Sequence, residues 1–233
     1  MNGFALILGF GSMLGLWNMA RRSSGNLAAS GLLMMALSLL GARGGYVLLR
    51  LPYYGQHPLD IARFSLGGLD GAGAMLGGFL GLLLAAAARR TAFLHLLEQS
   101  ARLLAPLCIA AWLGCWLEGA AYGAPIPFPA LGWLDWHPMG SPHWPLPALA
   151  AAGLLLFYFW LDGRLLRLKD NGRGFFYFLA AALSLLLVSL FRQDEPAPFW
   201  NGMRLDILTS TLLSLACLAA CLVTWVKFER NGS

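Results

Sequence analysis

The sequence predicts an all-α, polytopic integral membrane protein with seven transmembrane helices and a small external cap. Three observations carry this reading. Hydrophobic residues make up 58% of the 233 and charged residues only 12%, whereas a soluble domain carries about 25% charged residues. Seven apolar runs each approach the roughly 20 residues that cross a bilayer core. The basic residues fall in alternate loops, as membrane orientation requires.

The apolar runs are Gly3–Ala20, Leu27–Leu49, Leu69–Ala88, Leu103–Tyr122, Pro147–Leu161, Phe175–Phe191 and Leu205–Val226. The first opens almost at Met1 with no basic n-region and no cleavage site, so it is expected to be a retained span and not a removed signal peptide. With so much of the chain apolar, residues 1–233 read as a single membrane domain with no room for a second large one.

Four loops on one side of these spans hold Arg21 and Arg22; Arg89, Arg90 and Arg102; Arg164, Arg167, Lys169 and Arg173; and Lys227 and Arg230. The other side holds Arg50, Arg63, Arg192 and Arg204, with Arg43 left inside a span. The positive-inside rule then puts the C-terminus in the cytoplasm and the N-terminus outside. The net charge of +5 is therefore an orientation signal, and nucleic acid is not an expected partner.

Residues 123–147, the longest external segment, form a cap rich in Pro and Trp. It has no Lys or Arg and carries Trp133, Trp136 and Trp144, aromatics that suit the headgroup level. His137 and His143 lie there with Asp135 near them. A metal would need a third ligand at defined spacing, so both read as interfacial histidines, and neither a metal nor a cofactor is expected. The shorter external segment, Pro52–Phe64, predicts a short amphipathic helix with Pro58 in its first turn. Cys108, Cys115, Cys217 and Cys221 lie in apolar runs without a CxxC pair and read as small buried hydrophobes.

The stretch Leu40–Leu82 holds the chemistry. Arg43 and Asp70 bring charge into adjacent spans, and charges at that depth mark a functional site by default. The ordinary alternatives are a snorkelling Arg43, an Asp70 at a helix entrance, or a closed ion pair between the two. Gly67, Gly68, Gly71, Gly73, Gly77, Gly78 and Gly81 crowd the third span. Small residues let helices approach closely in a membrane. At a helix entrance they also leave backbone N–H groups open to a phosphate.

The residues FALILGFGSMLGLWNMARR, GARGGYVLLRLPYYGQHPLDIARFSLGGL, the glycine run ending MLGG, Gly114–Gly123 and FRQDEP follow one another in an order that resembles the prolipoprotein diacylglyceryl transferase family. The likeness covers almost the whole chain. It implies seven spans with the site on the outer side, in the bacterial inner membrane. It also implies transfer of diacylglyceryl from phosphatidylglycerol to the lipobox cysteine of a prolipoprotein. Carried onto this sequence, it assigns lipid binding to Arg43, Tyr46, Gly67, Gly68 and Arg192, leaves Asp70 and His143 as candidate catalytic groups, and gives Glu118 a structural or ion-pairing part.

The departures from the family pattern are as informative. The family opens its third span Gly-Gly-x-Ser-Phe-His-Gly-Gly, and Ala72 stands at the His. In the fourth span Trp112 replaces an Arg, Cys115 an Asn and Ala120 a Glu. The segment His143–Leu149 is a shrunken form of the family's His-Pro-x-Gln-Leu-Tyr-Glu. Leu185 and Ser189 fall where the family has an Arg and a Glu, and Asn2 where it has a Tyr. Expelling glycerol phosphate needs bidentate charge stabilisation, and a thiol nucleophile needs a base. Losing charge stabilisation alone slows such chemistry by about 100 to 1000-fold.

Three functions are weighed. The first is a catalytically degenerate, lipid-binding or accessory subunit of a membrane assembly, with phospholipid, a lipoprotein or other membrane subunits as partners. The second is an active transferase with rewired groups, Asp70 acting as base. The third is a small transporter using Arg43, Asp70 and Glu118, which lacks the inverted repeat and broken helices common in transporters. The first requires least of the residues present.

Overall fold

The computed structural model describes residues 3–21, 26–64, 67–128, 135, 142–164, 173–193, 198–200 and 202–232. Eight helices are found among them: α1 Gly3–Arg21, α2 Asn26–Leu49, α3 Leu51–Gln56, α4 Gly71–Arg89, α5 Phe93–Leu117, α6 Leu146–Arg164, α7 Arg173–Phe191 and α8 Leu205–Gly232. Six of them, all but α3 and α6, are long and apolar enough to cross a membrane. A seventh, α6, is apolar over the shorter stretch Leu146–Leu161. The protein is an all-α polytopic membrane protein. Its outward faces are apolar: Phe10 and Trp17 on α1, Leu156 and Phe159 on α6, and Leu187 and Phe191 on α7 are all well exposed, as acyl chains require.

The fourth span sits about ten residues earlier than the apolar run predicts. It begins at Phe93 and ends at Leu117, not Leu103–Tyr122. The apolar run starts after Arg102, but the helix itself starts ten residues earlier, through a stretch that carries Glu98 and Arg102. There Glu98 accepts the Gly174 amide at 2.9 Å, capping the entry of α7. At the other end Gly119 takes a left-handed φ of 70°. The Ala120 amide returns to the Cys115 carbonyl and the Gly119 amide to Trp116, the glycine-closed helix end known as a Schellman motif. The second departure is at Pro58, which opens a 3-10 turn, Pro58–Ala62, behind the short α3. Five residues with Pro at the start do not sustain an α-helix.

Helices pair closely along small residues. On α2 and α4, a side chain at Gly41 would strike the Gly73 carbonyl oxygen, and one at Gly77 the Leu37 carbonyl oxygen. One at Gly81 would lie 2.8 Å from the Met34 Cα. Gly73, Gly77 and Gly81 recur every fourth residue, which puts them on one face of α4. The same device joins α1 to α5, where a Cβ on Gly11 or Gly15 would come within 2.9 Å of the Pro106 or Leu103 carbonyl. The glycine run of the third span is thus first a packing seam. The interior is completed by Leu82, Leu97, Leu103 and Phe178, all essentially inaccessible, and Cys217 and Cys221 are buried beside it.

Candidate functional site

The predicted site residues gather near one end of the bundle in two distinct settings. The first is built around Arg43. Its guanidinium is buried and gives hydrogen bonds to five backbone carbonyls: Nε to Ile61 at 3.0 Å, Nη1 to Gly67 and to Gly68 (3.1 Å), and Nη2 to Asp60 (2.6 Å) and Arg63 (3.0 Å). An Arg side chain has five N–H donors, so every one is used within the loop between α3 and α4. The rings of Tyr46, Tyr54 and Phe64 surround the cation at 5.5 to 6.0 Å, a further stabilising contact for a desolvated guanidinium. Every Arg43 donor thus ends on a backbone carbonyl, so the lipid contact expected of it would have to displace one of these bonds.

Gly67 and Gly68 belong to the same construction. Both take left-handed φ, 73° and 81°, which turns their carbonyls onto Arg43. A side chain on Gly68 would strike the Tyr46 ring. Tyr46 in turn lies under the Arg50 guanidinium, 4.5 Å from its ring centre. Gly44 and Gly67 face open space, while the places a side chain would take on Gly45 and Gly68 are filled by Asp70 and Tyr46.

Asp70 is the hinge between the two settings. Its carboxylate caps α4, accepting the Gly73 amide at 2.6 Å, and its own amide bonds to the Ala42 carbonyl at 2.9 Å. Among the described residues it makes no ion pair with Arg43. Burial holds its carboxyl above the usual carboxylate range, partly offset by the Gly73 amide and Arg192, while Asp206 adds to the rise.

The second setting is the C-terminal end of α7 and the start of α8. A two-residue ladder pairs β1 (Phe199–Trp200) with β2 (Met203–Arg204) in antiparallel register, and Gly202 at φ 81° turns between them. Arg204 forks onto Asp206, Nη2 to Oδ2 at 2.8 Å and Nε to Oδ1 at 3.2 Å. Arg192 Nε lies 3.4 Å from the same Oδ2. Beside them is an open cleft of about 450 Å³, lined by residues that include Trp144, Leu190, Phe191, Arg192, Gln193 and Arg204. Its far wall is the cap. Gly123 and Ala124 exchange hydrogen bonds with Trp144 at 2.9 and 3.0 Å, and Gln193 reaches the Tyr122 carbonyl at 2.9 Å.

Arg192, one of the expected lipid-binding residues, lines this cleft. Arg204, Asp206 and Gln193 were missed as such, and the available signal was an Arg and an Asp two apart at the outer entrance of the last span. His143 is held in the cap: its amide donates to Asp135 Oδ2 at 2.8 Å, and its Nδ1 lies 3.8 Å from that oxygen. No hydrogen bond or ion pair among the described residues joins it to Asp70. Trp133, Trp136, His137 and Asn2 lie outside the described residues. Glu118 accepts the Phe4 amide at 3.1 Å, so it ties the end of α5 to the start of α1, where a carboxylate is favoured by the helix dipole.

Three of the positions at which the family pattern is broken are packed, while Ala120 is exposed. Ala72 is buried. Trp112 donates its indole N–H to Ser184 at 3.0 Å, and Ser184 passes its own hydrogen to the Ala181 carbonyl at 2.7 Å. Leu185 lies directly against Gly71.

Comparison with known proteins agrees with the order of motifs. The prolipoprotein diacylglyceryl transferase family profile matches residues 1–227. A phosphatidylglycerol–prolipoprotein diacylglyceryl transferase of Bordetella avium is 31% identical, over 99% of this chain and 89% of its own length. One from Cupriavidus metallidurans is 30% identical over 84% of this chain and 73% of its own, and one from Methylibium petroleiphilum 28% over 83% and 75%. With its membrane-crossing helices and bacterial relatives, this is a multi-pass protein of the bacterial inner membrane, and the chain belongs to the prolipoprotein diacylglyceryl transferase family.

Proposed function

We propose that this family member is catalytically degenerate and serves as a lipid-binding or accessory subunit of a membrane assembly. The observation that carries the reading is the packing at the substituted positions. Ala72, Trp112 and Leu185 fill with apolar contacts the places where the family pattern puts a His and two Arg. A phosphodiester donor needs convergent cationic donors for its leaving group, and a thiol acceptor needs a proton-taking group within hydrogen-bond reach. Trp112 spends its single donor on Ser184, and neither Ala nor Leu offers one.

What supports lipid binding is the cleft at Arg192 and Arg204, apolar along Leu190 and Phe191 and cationic at its rim. That combination suits one acyl chain and one phosphodiester, and phosphatidylglycerol, named in the relatives' titles, is the expected occupant. The lipoprotein or membrane-protein partner that a subunit role requires follows from the same reading.

The test is complementation of a bacterial strain depleted of its own transferase. Failure to restore growth, with the protein present in the membrane, is the expected outcome. Growth at the normal rate overturns the proposal and favours an active enzyme. Asp70 is the observation behind that second reading, a carboxylate at the entrance of α4 whose burial holds its carboxyl above the usual range.

The chain is further proposed to form one membrane domain over 1–233, cap 123–147 included, with the N-terminus outside and the C-terminus in the cytoplasm. Reporter fusions at Ser23, Thr91, Asn171 and Ser233 should all score cytoplasmic. One external score breaks the orientation.

A further inference from the structure

Two cations and one carboxylate meet at the rim of the cleft, and the carboxylate comes from the chain itself. Asp206 is nearly buried and lies in the first turn of α8, where the helix dipole favours an anion. It receives a two-point fork from Arg204 and lies 3.4 Å from Arg192 Nε. A phosphodiester presents the same pair of oxygens to a guanidinium that a carboxylate does. Arg204 Nη1 also bonds to the Arg192 carbonyl at 3.3 Å, so the two arginines are held side by side facing one anion.

We infer that Arg192 and Arg204 form an anion seat on the cleft, that Asp206 fills it from within, and that an anionic phosphodiester headgroup must compete with Asp206 to occupy it. This rests on the lipid-binding reading above and adds how that site is held closed. A plain structural clamp, in which Asp206 only ties β2 to α8, makes a different forecast: removing the carboxylate weakens the fold and leaves lipid binding alone.

The experiment uses the full chain purified in detergent and exchanged into phosphatidylcholine nanodiscs with a minor share of phosphatidylglycerol. Retained lipid is counted by native mass spectrometry for wild type, Asp206→Asn, Asp206→Ser and Arg192→Gln/Asp206→Asn. A parallel arm offers soluble glycerol phosphate as competitor, which separates a headgroup site from a site that requires the acyl chains. D206N should retain phosphatidylglycerol at least about tenfold better than wild type, in line with the coupling of close charge pairs. The gain should vanish in R192Q/D206N.

Unchanged or reduced retention in a D206N protein that unfolds like wild type overturns the inference. If D206N does not fold, Asp206→Ser, which removes the carboxylate and leaves both arginines in place, must exceed wild type, with equality overturning the idea. Should wild type retain phosphatidylglycerol through Arg192 while D206N adds nothing, lipid binding stands and the internal anion falls. A gain that survives R192Q places the lipid elsewhere, and both readings fall.

Discussion

Arg43 and Arg192 lie on either side of Asp70, one on α2 and one at the end of α7, and their surroundings are opposites. Arg43 is saturated by five carbonyls of its own loop and ringed by Tyr46, Tyr54 and Phe64. Arg192 shares a carboxylate with Arg204 and borders an open cleft. Both are charges that a membrane protein does not keep without reason. The difference is in where the donors go. A guanidinium whose N–H groups all end on backbone is tied into its own loop, and one beside an open cleft is the binding element of the proposed function.

The sharpest way to break the comparison is at Arg43. Arg43→Gln should destabilise the protein by about 3 kcal/mol or more, because the carbonyls of Asp60, Ile61, Arg63, Gly67 and Gly68 lose a charged donor. Arg43→Lys should rescue little, since a point-charge ammonium cannot reproduce the fork. Unfolding in detergent followed by tryptophan fluorescence measures both. Near-wild-type stability would move Arg43 back among the ligand-binding candidates.

The glycine seam comes next. Gly77→Leu forces a side chain into the Leu37 backbone and should cost about 1–3 kcal/mol or more by overpacking. Gly44→Ala, on the same end of α2 but facing open space, should be neutral or stabilising by about 0.5–1 kcal/mol through helix propensity. Equal effects at the two positions would refute the seam.

Asp70 gives the third contrast. Asp70→Ala removes the α4 cap and should lower stability by about 1 kcal/mol, whereas Asp70→Asn keeps a capping oxygen and should not. The sign of the pH effect also follows. Because the folded protein holds the Asp70 carboxyl above its ordinary value, it binds that proton more tightly than the unfolded chain does. Its contribution therefore favours the fold at acid pH and is lost as pH rises through the raised value. Wild type should therefore gain stability relative to D70N as pH falls from about 7 to about 4, and a relative loss contradicts the assignment. The smallest effect on stability is expected at the cleft, where Arg192→Gln should change unfolding by about 1 kcal/mol or less while reducing retained phosphatidylglycerol.

The helical membrane architecture was legible because hydrophobicity over 20-residue windows reports solvent directly. Leu27–Leu49 and Phe175–Phe191 were read almost to the residue. The fourth span slipped because Glu98 and Arg102 look like loop residues, and only the folded chain brings Glu98 to the Gly174 amide. For the site, the pattern GARGGY identified Arg43 as special but not what satisfies it. That depends on five carbonyls up to 25 residues away, which no local spacing encodes. Arg204 and Asp206 read as an ordinary helix entrance. Their meaning comes from Arg192 across the β1–β2 turn, a tertiary contact.

The central claim is a cleft that binds lipid without transferring it. It is tested most directly with purified protein, radiolabelled phosphatidylglycerol and a peptide carrying a lipobox cysteine, beside an active family member. The account predicts that phosphatidylglycerol is retained in a manner that depends on Arg192, while no labelled diacylglyceryl reaches the cysteine thiol. Labelled peptide formed at a rate within about 100-fold of the active relative would contradict it.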